Sequence, residues 1–195
     1  MNNLASNINI VQIPFAPFMD GVHRSVKLSE HLTVGELYDA TKVPDKRDLL
    51  ESGIPIHKNL YKVFELIRSH TKKPLYLGSA FRSYEWELKQ GRSGNSQHIN
   101  ANAYDFNGQN LKKVIDIAVH TENALFQELR GLGVTAFGKY SWGWHLDFRP
   151  EKPTKDIYFW NEEKKNADNY VIPVVIGFII LIIVKLKLYK NGFKR

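Results

Sequence analysis

Two histidines and an aspartate place the tightest constraint on this chain. His98 and Asp105 share the run Ser96-Gln97-His98-Ile99-Asn100-Ala101-Asn102-Ala103-Tyr104-Asp105, and His145 follows about forty residues later in Trp144-His145-Leu146-Asp147. A fold that brings these segments together has two imidazoles and one carboxylate in one place. Three N/O ligands with a fourth position left to water is the arrangement of catalytic zinc, which lowers the pKa of its water to about 7 and polarises a carbonyl. That chemistry is hydrolytic.

The surrounding chain reads as a mixture of helices and strands. Leu60, Val63, Phe64 and Ile67 recur at helical spacing, which predicts a helix within 57–71 that covers a sheet with one face. Residues 74–77 read as a strand ending at Gly78, and Arg82 follows in Gly78-Ser79-Ala80-Phe81-Arg82-Ser83, where a residue just past a strand is well placed to face a cleft. Shorter helices are expected over 34–41, closed by Pro44, and over 84–90, before the polar loop Gly91-Arg92-Ser93-Gly94-Asn95. Residues 102–106 are expected as a strand with Ala103 and Asp105 on one face. Leu111, Val114, Ile115 and Ala118 form one apolar stripe and Ala124, Leu125, Leu129 and Leu132 continue it, a helix pair broken near His120 and Thr121. Residues 134–138 and 142–148 then pair as strands around Lys139-Tyr140-Ser141, with Gly143, His145 and Asp147 sharing a face.

Taken in order, the runs around Arg82, His98 and His145 resemble the zinc D-alanyl-D-alanine carboxypeptidases and the wider group that includes lysostaphin and the hedgehog fold. The nearest pattern is the bacterial and phage branch, which reads S-G-[YF]-R-S, then S-[QR]-H-x2-G-x-A-x-D, then [FW]-x-H-x-D. The likeness spans about 28–150 and implies an α+β domain, a small antiparallel sheet flanked by helices, with murein peptidase activity. It implies zinc held by His98, Asp105 and His145, and a peptidoglycan stem peptide as substrate, cut at a D-Ala-D-Ala bond. Arg82 is implied as the cation that holds the substrate, since a guanidinium can grip a carboxylate through two parallel hydrogen bonds or stabilise an oxyanion. Ser96 and Gln97 are candidates for binding substrate backbone or for shaping the loop. Asp147 is a candidate general base, or a group that orients a ligand imidazole. Two positions depart from the pattern: Ala101 replaces the glycine after the first ligand, and Trp142 stands where some members carry the acidic base. A binding module of the same fold, inactive for want of that base, is the alternative.

The remaining sequence concerns placement. Cysteine is absent, so disulfides and thiolate ligands are excluded. Lys185, Lys187, Lys190, Lys194 and Arg195 supply five of the +7 net charges, which favours a membrane flank over a nucleic-acid face. Residues 170–189 are expected as a single C-terminal transmembrane helix, with 190–195 a basic tail and 151–169 a polar linker. That arrangement anchors the domain in a membrane with the catalytic part facing the cell wall. Residues 1–27 read as a lead-in without a cleavable signal peptide, with Phe15 and Phe18 resting on the domain. His23, His31, His57, His70 and His120 read as surface or capping residues.

Overall fold

In the computed structural model, which describes residues 9–14, 24–151, 154 and 156–162, the first element is strand β1 (Ile10–Ile13). It pairs antiparallel with β2 (Ile54–His57), Ile10 opposite His57 and Ile13 opposite Ile54. Four-residue strands carry too few alternating positions to stand out in sequence, and β2 is buried on both faces, so this small sheet was not anticipated. Phe15 and Phe18 lie outside the described residues.

Helix α1 (Val34–Ala40) begins at Thr33. The Glu36 amide donates to Thr33 Oγ1 at 3.2 Å and the Thr33 amide donates to the Glu36 carboxylate at 2.9 Å, a reciprocal cap worth about 1 kcal/mol. Helix α2 (Leu60–Thr71) buries Leu60, Val63, Phe64 and Ile67, as their spacing predicts, and leads into β3 (Leu75–Ser79). Helix α3 (Tyr84–Lys89) starts at Ser83, whose Oγ accepts from the Trp86 amide at 3.2 Å. Strand β4 (Ala103–Gly108) is followed by α4 (Leu111–Thr121) and α5 (Ala124–Gly131), with the break at Glu122 and Asn123.

Strands β5 (Ala136–Tyr140) and β6 (Gly143–Asp147) make a hairpin with Tyr140 opposite Gly143. The turn is therefore Ser141-Trp142, later than expected, because Lys139 and Tyr140 stay in the ladder. This places Trp142 at the hairpin tip. A last strand, β7 (Tyr158–Asn161), joins the far edge, giving the sheet order β3-β4-β6-β5-β7. The stretch read as a linker thus supplies a strand, and its aromatic residues Tyr158, Phe159 and Trp160 pack on the domain. A compact unit extends to Trp160.

The sheet has two unlike faces. Tyr104 and Phe106 of β4, opposite Leu146 and Trp144 of β6, join Phe64, Ile67, Leu111, Ile115 and Leu129 of the helices in one core. Burying a side chain of this size contributes about 1.5–3 kcal/mol. The other face carries Ala103 opposite Asp147 and Asp105 opposite His145. The α+β class with helices against an antiparallel sheet is as expected. Among the described residues no helix is long and apolar enough to cross a membrane, and 170–189 and the basic tail lie outside them.

Candidate functional site

Four cross-strand neighbours form a row on the open face: Ser79 on β3, Asp105 on β4, His145 on β6 and Gly138 on β5. A register shift between Leu77 and Ser79 brings Ser79 opposite Asp105. At the far end Gly138 leaves room for the Trp160 ring, which a Cβ there would meet at 2.3 Å. The Trp160 ring in turn lies 5.3 Å from that of His145.

His98 reaches the row from a short 3-10 turn (Gln97–Asn100). Ser96 caps that turn, its Oγ accepting from the His98 amide at 3.2 Å, so Ser96 shapes the loop while also lining the cleft. Gln97 is outside the cleft lining; its carbonyl accepts from the amides of Ala101 and Asn102 at the turn's exit. Ala101 has φ 55°, the left-handed conformation that explains a glycine at this position in the resembling family. Tyr104 pins the turn from below: its hydroxyl donates to the Ala101 carbonyl at 2.9 Å and accepts from the His57 amide at 2.6 Å.

The ring orientations follow from their partners. His98 Nδ1 lies 2.6 Å from the Ala80 carbonyl, which can only accept, so Nδ1 carries the proton and Nε2 presents a lone pair. Nε2 is buried and makes no aligned hydrogen bond; it faces Asp105 Oδ1 at 3.3 Å. Burial lowers the His98 pKa against the opposing pull of Asp105, which favours the neutral ring. On His145, Nδ1 lies 2.8 Å from Asp105 Oδ1, and Nε2 lies 3.1 Å from Asp147 Oδ2. Burial alone would lower the His145 pKa, but the two flanking carboxylates outweigh it and raise it. Burial would likewise raise Asp105, yet the hydrogen bond with His145 and the neighbouring His98 ring hold its carboxyl well below the usual carboxylate range.

His98, Asp105 and His145 each offer one ligand atom, all within 4.8 Å of one another. An orphaned imidazole nitrogen, a second imidazole and an ionised carboxylate oxygen fit a borderline-soft divalent cation such as zinc. Arg82 stands behind them. Its Nε donates to Ser79 Oγ at 2.7 Å, Nη1 to Glu87 Oε1 at 3.3 Å and Nη2 to Asp105 Oδ2. Arg82 thereby occupies one carboxylate oxygen and leaves the other to the imidazoles. Its loop is fastened to the end of α1, with the Lys42 amide donating to the Phe81 carbonyl and the Ser83 amide to the Lys42 carbonyl.

Asp147 is fully buried and absent from the cleft lining. One oxygen meets His145 Nε2, and Arg149 donates to both, through Nε at 2.8 and 3.0 Å and Nη2 at 2.5 Å. Hydrogen bonds with His145 and Arg149 lower its pKa against the effect of burial. A carboxylate so placed is positioned to orient His145, the second of the two roles expected of it.

The cleft measures about 490 Å³ and is lined by the Arg82, His98, Asp105 and His145 side chains on its floor, with Trp142 and Tyr140 on one wall. Those two aromatic rings stack at 4.8 Å, and Trp160 Nε1 donates to the Tyr140 hydroxyl at 3.0 Å. Sequence reasoning missed Glu87 and Arg92 as cleft residues. Glu87 and Arg92 carry no spacing signal, whereas Trp160 stands out with Tyr158 and Phe159 as an aromatic break in a polar stretch, a sign of packing on the domain or of a membrane interface. His57 is also buried rather than on the surface, stacked on Phe148 at 3.8 Å. A second acidic group, Glu30, His31 and Glu65, is accounted for by capping: Glu65 Oε1 accepts from the Ser29 hydroxyl and the His31 amide.

The sequence profile of the Peptidase M15 family matches residues 30–142, more than half of the chain. The protein belongs to the M15 peptidases, in keeping with the D-alanyl-D-alanine peptidase resemblance. Among solved structures it is similar to the Serratia marcescens L-Ala D-Glu endopeptidase ChiX, at 16% identity and a TM-score of 0.34, over 56% of this chain and 90% of that one. No curated protein matches the sequence.

Proposed function

We propose that the protein is a zinc-dependent peptidase that hydrolyses peptidoglycan stem peptides, with the D-Ala-D-Ala bond as the first candidate. The observation that carries this reading is the buried, unpartnered His98 Nε2 beside Asp105 and His145 at the floor of an open cleft. Membership of the M15 peptidases supports it. Bound to His98, Asp105 and His145, zinc would activate water near neutral pH and polarise the scissile carbonyl. The Ala80 carbonyl fixes the His98 tautomer, Asp147 would keep the proton of a zinc-bound His145 on Nε2, and Arg82 holds Asp105 in place. Residues 170–189 serve as the membrane anchor in this reading, with the domain facing the cell wall.

The test is cleavage of a stem pentapeptide by the purified protein with zinc and after chelation, the products identified by mass spectrometry. Zinc-dependent release of D-alanine supports carboxypeptidase action; cleavage elsewhere assigns an endopeptidase. No cleavage by zinc-loaded protein sinks the enzymatic reading. One observation favours the second reading, a binding module: both carboxylates that line the cleft, Glu87 and Asp105, are held by arginine, and Trp142 offers no acid.

A further inference from the structure

Arg92 enters the cleft lining from the loop after α3 and is held there by three contacts. Its Nη1 donates to Glu87 Oε1 at 3.1 Å, its guanidinium lies over the Trp86 ring at 5.2 Å, and its amide donates to the Glu87 carbonyl at 3.1 Å. Glu87 is itself 1% exposed, so the cation is tied to a fixed point rather than to another mobile side chain. Even so, the Arg92 side chain remains 46% exposed, against 15% for Arg82. The two arginines share Glu87 Oε1 and therefore sit side by side, but they are unequally available. Arg82 points donors at Ser79, Glu87 and Asp105; Arg92 commits one nitrogen to Glu87 and lines the cleft with its side chain half-exposed.

We propose that Arg92, rather than Arg82, is the cation that receives substrate, and that it selects peptides carrying a free carboxylate near the bond to be cut. The inference rests on the peptidase reading only for the position of that bond. A pre-oriented guanidinium loses little freedom on pairing and can grip a carboxylate in two parallel hydrogen bonds. Stem peptides offer two such groups, the C-terminal carboxylate and the α-carboxylate of the γ-linked D-glutamate. An arginine that merely decorates the surface would discriminate between neither and its amide.

The experiment compares three peptides on the zinc-loaded full chain: the stem pentapeptide, its C-terminal amide, and the form with D-isoglutamine in place of D-glutamate. Affinity is read as kcat/KM where a peptide is cleaved and as a calorimetric Kd where it is not. In the wild type, one of the two amidations weakens recognition by about tenfold or more, as expected for a charge-assisted pair, and identifies which carboxylate is read. In Arg92→Gln the ratio of acid to amide falls towards one, while Arg92→Lys, which keeps the charge but not the fork, retains part of it. Equal recognition of all three by the wild type overturns the proposal, as does a ratio that survives in Arg92→Gln. Discrimination in binding with no cleavage upholds Arg92 and sinks the peptidase reading; cleavage without discrimination does the reverse. Neither binding nor cleavage overturns both.

Discussion

Asp147 Oδ2 lies 3.1 Å from His145 Nε2, on the opposite side of the imidazole from the Asp105 oxygen that meets Nδ1. Because a carboxylate only accepts, each contact favours a proton on the nitrogen it meets; a cation held at Nδ1 would displace the one facing Asp105, and Asp147 would keep the other on Nε2. Asp147→Asn keeps the shape and removes the charge. Zinc affinity should fall about 10–100-fold, while kcat at saturating zinc changes far less. A general base would show the opposite pattern, with kcat down 10²-fold or more and affinity intact. Metal titration with a competing chelator, run beside kinetics, separates the two.

His98→Ala and Asp105→Ala each remove a ligand atom from the group that lies within 4.8 Å. Both should lose stoichiometric zinc and activity together. Zinc retained at one equivalent in both variants, measured by elemental analysis after dialysis, would remove these residues from the metal centre.

Gly143 opens β6 under the Phe106 carbonyl, and a Cβ built there would stand 2.1 Å from that oxygen. Backbone cannot yield as a flexible side chain can. Gly143→Ala should therefore cost about 2–4 kcal/mol, seen as a lower urea midpoint with an unchanged m-value. A loss under about 0.5 kcal/mol would mean the strands do not approach so closely.

Trp160 fills the space that Gly138 leaves open, against the His145 ring. Trp160→Ala should destabilise the protein by about 1–3 kcal/mol, below the range of a core tryptophan because the side chain is half-buried on the edge strand. It should also weaken zinc binding through a loosened His145. Zinc affinity unchanged from wild type would limit Trp160 to packing.

His57 is pushed down to about 4 by burial and, secondarily, by Lys58. The folded protein keeps this ring neutral while the unfolded chain takes up a proton below its ordinary value of about 6.5. Its contribution is thus fully present above pH 6.5 and is lost as pH falls towards 4, by about 2–3 kcal/mol. Denaturant midpoints of wild type and His57→Phe across that window test this. The variant should show a shallower decline, and parallel curves would assign the acid sensitivity to other groups.

The long periodic elements were legible in the sequence because their apolar spacing is what buries them; α2 is the clearest case, with Leu60, Val63, Phe64 and Ile67 all in the core. The His98, Asp105 and His145 set was legible because three short runs occur in a fixed order, and the structure brings the three side chains together. Ala101 was marked by its departure from a glycine pattern, and its positive φ supplies the reason. What escaped was set by tertiary contact. Strands β1 and β2 exist only by pairing with each other, and β7 hides in a polar stretch whose value lies in one indole against one glycine. Asp147 could not be assigned from spacing, since its role depends on which nitrogen of His145 it meets.

A single unbroken string of contacts runs through the site: Arg149, Asp147, His145, Asp105, Arg82, Glu87 and Arg92. Its three arginines and three carboxylates cancel formally, so the string is neutral when the imidazole is. A divalent cation arriving at Asp105 would turn a balanced cleft electropositive, and an acidic peptide would then restore the balance. Ion and anionic ligand should each tighten the other's hold by the same factor, a reciprocity that thermodynamic linkage requires.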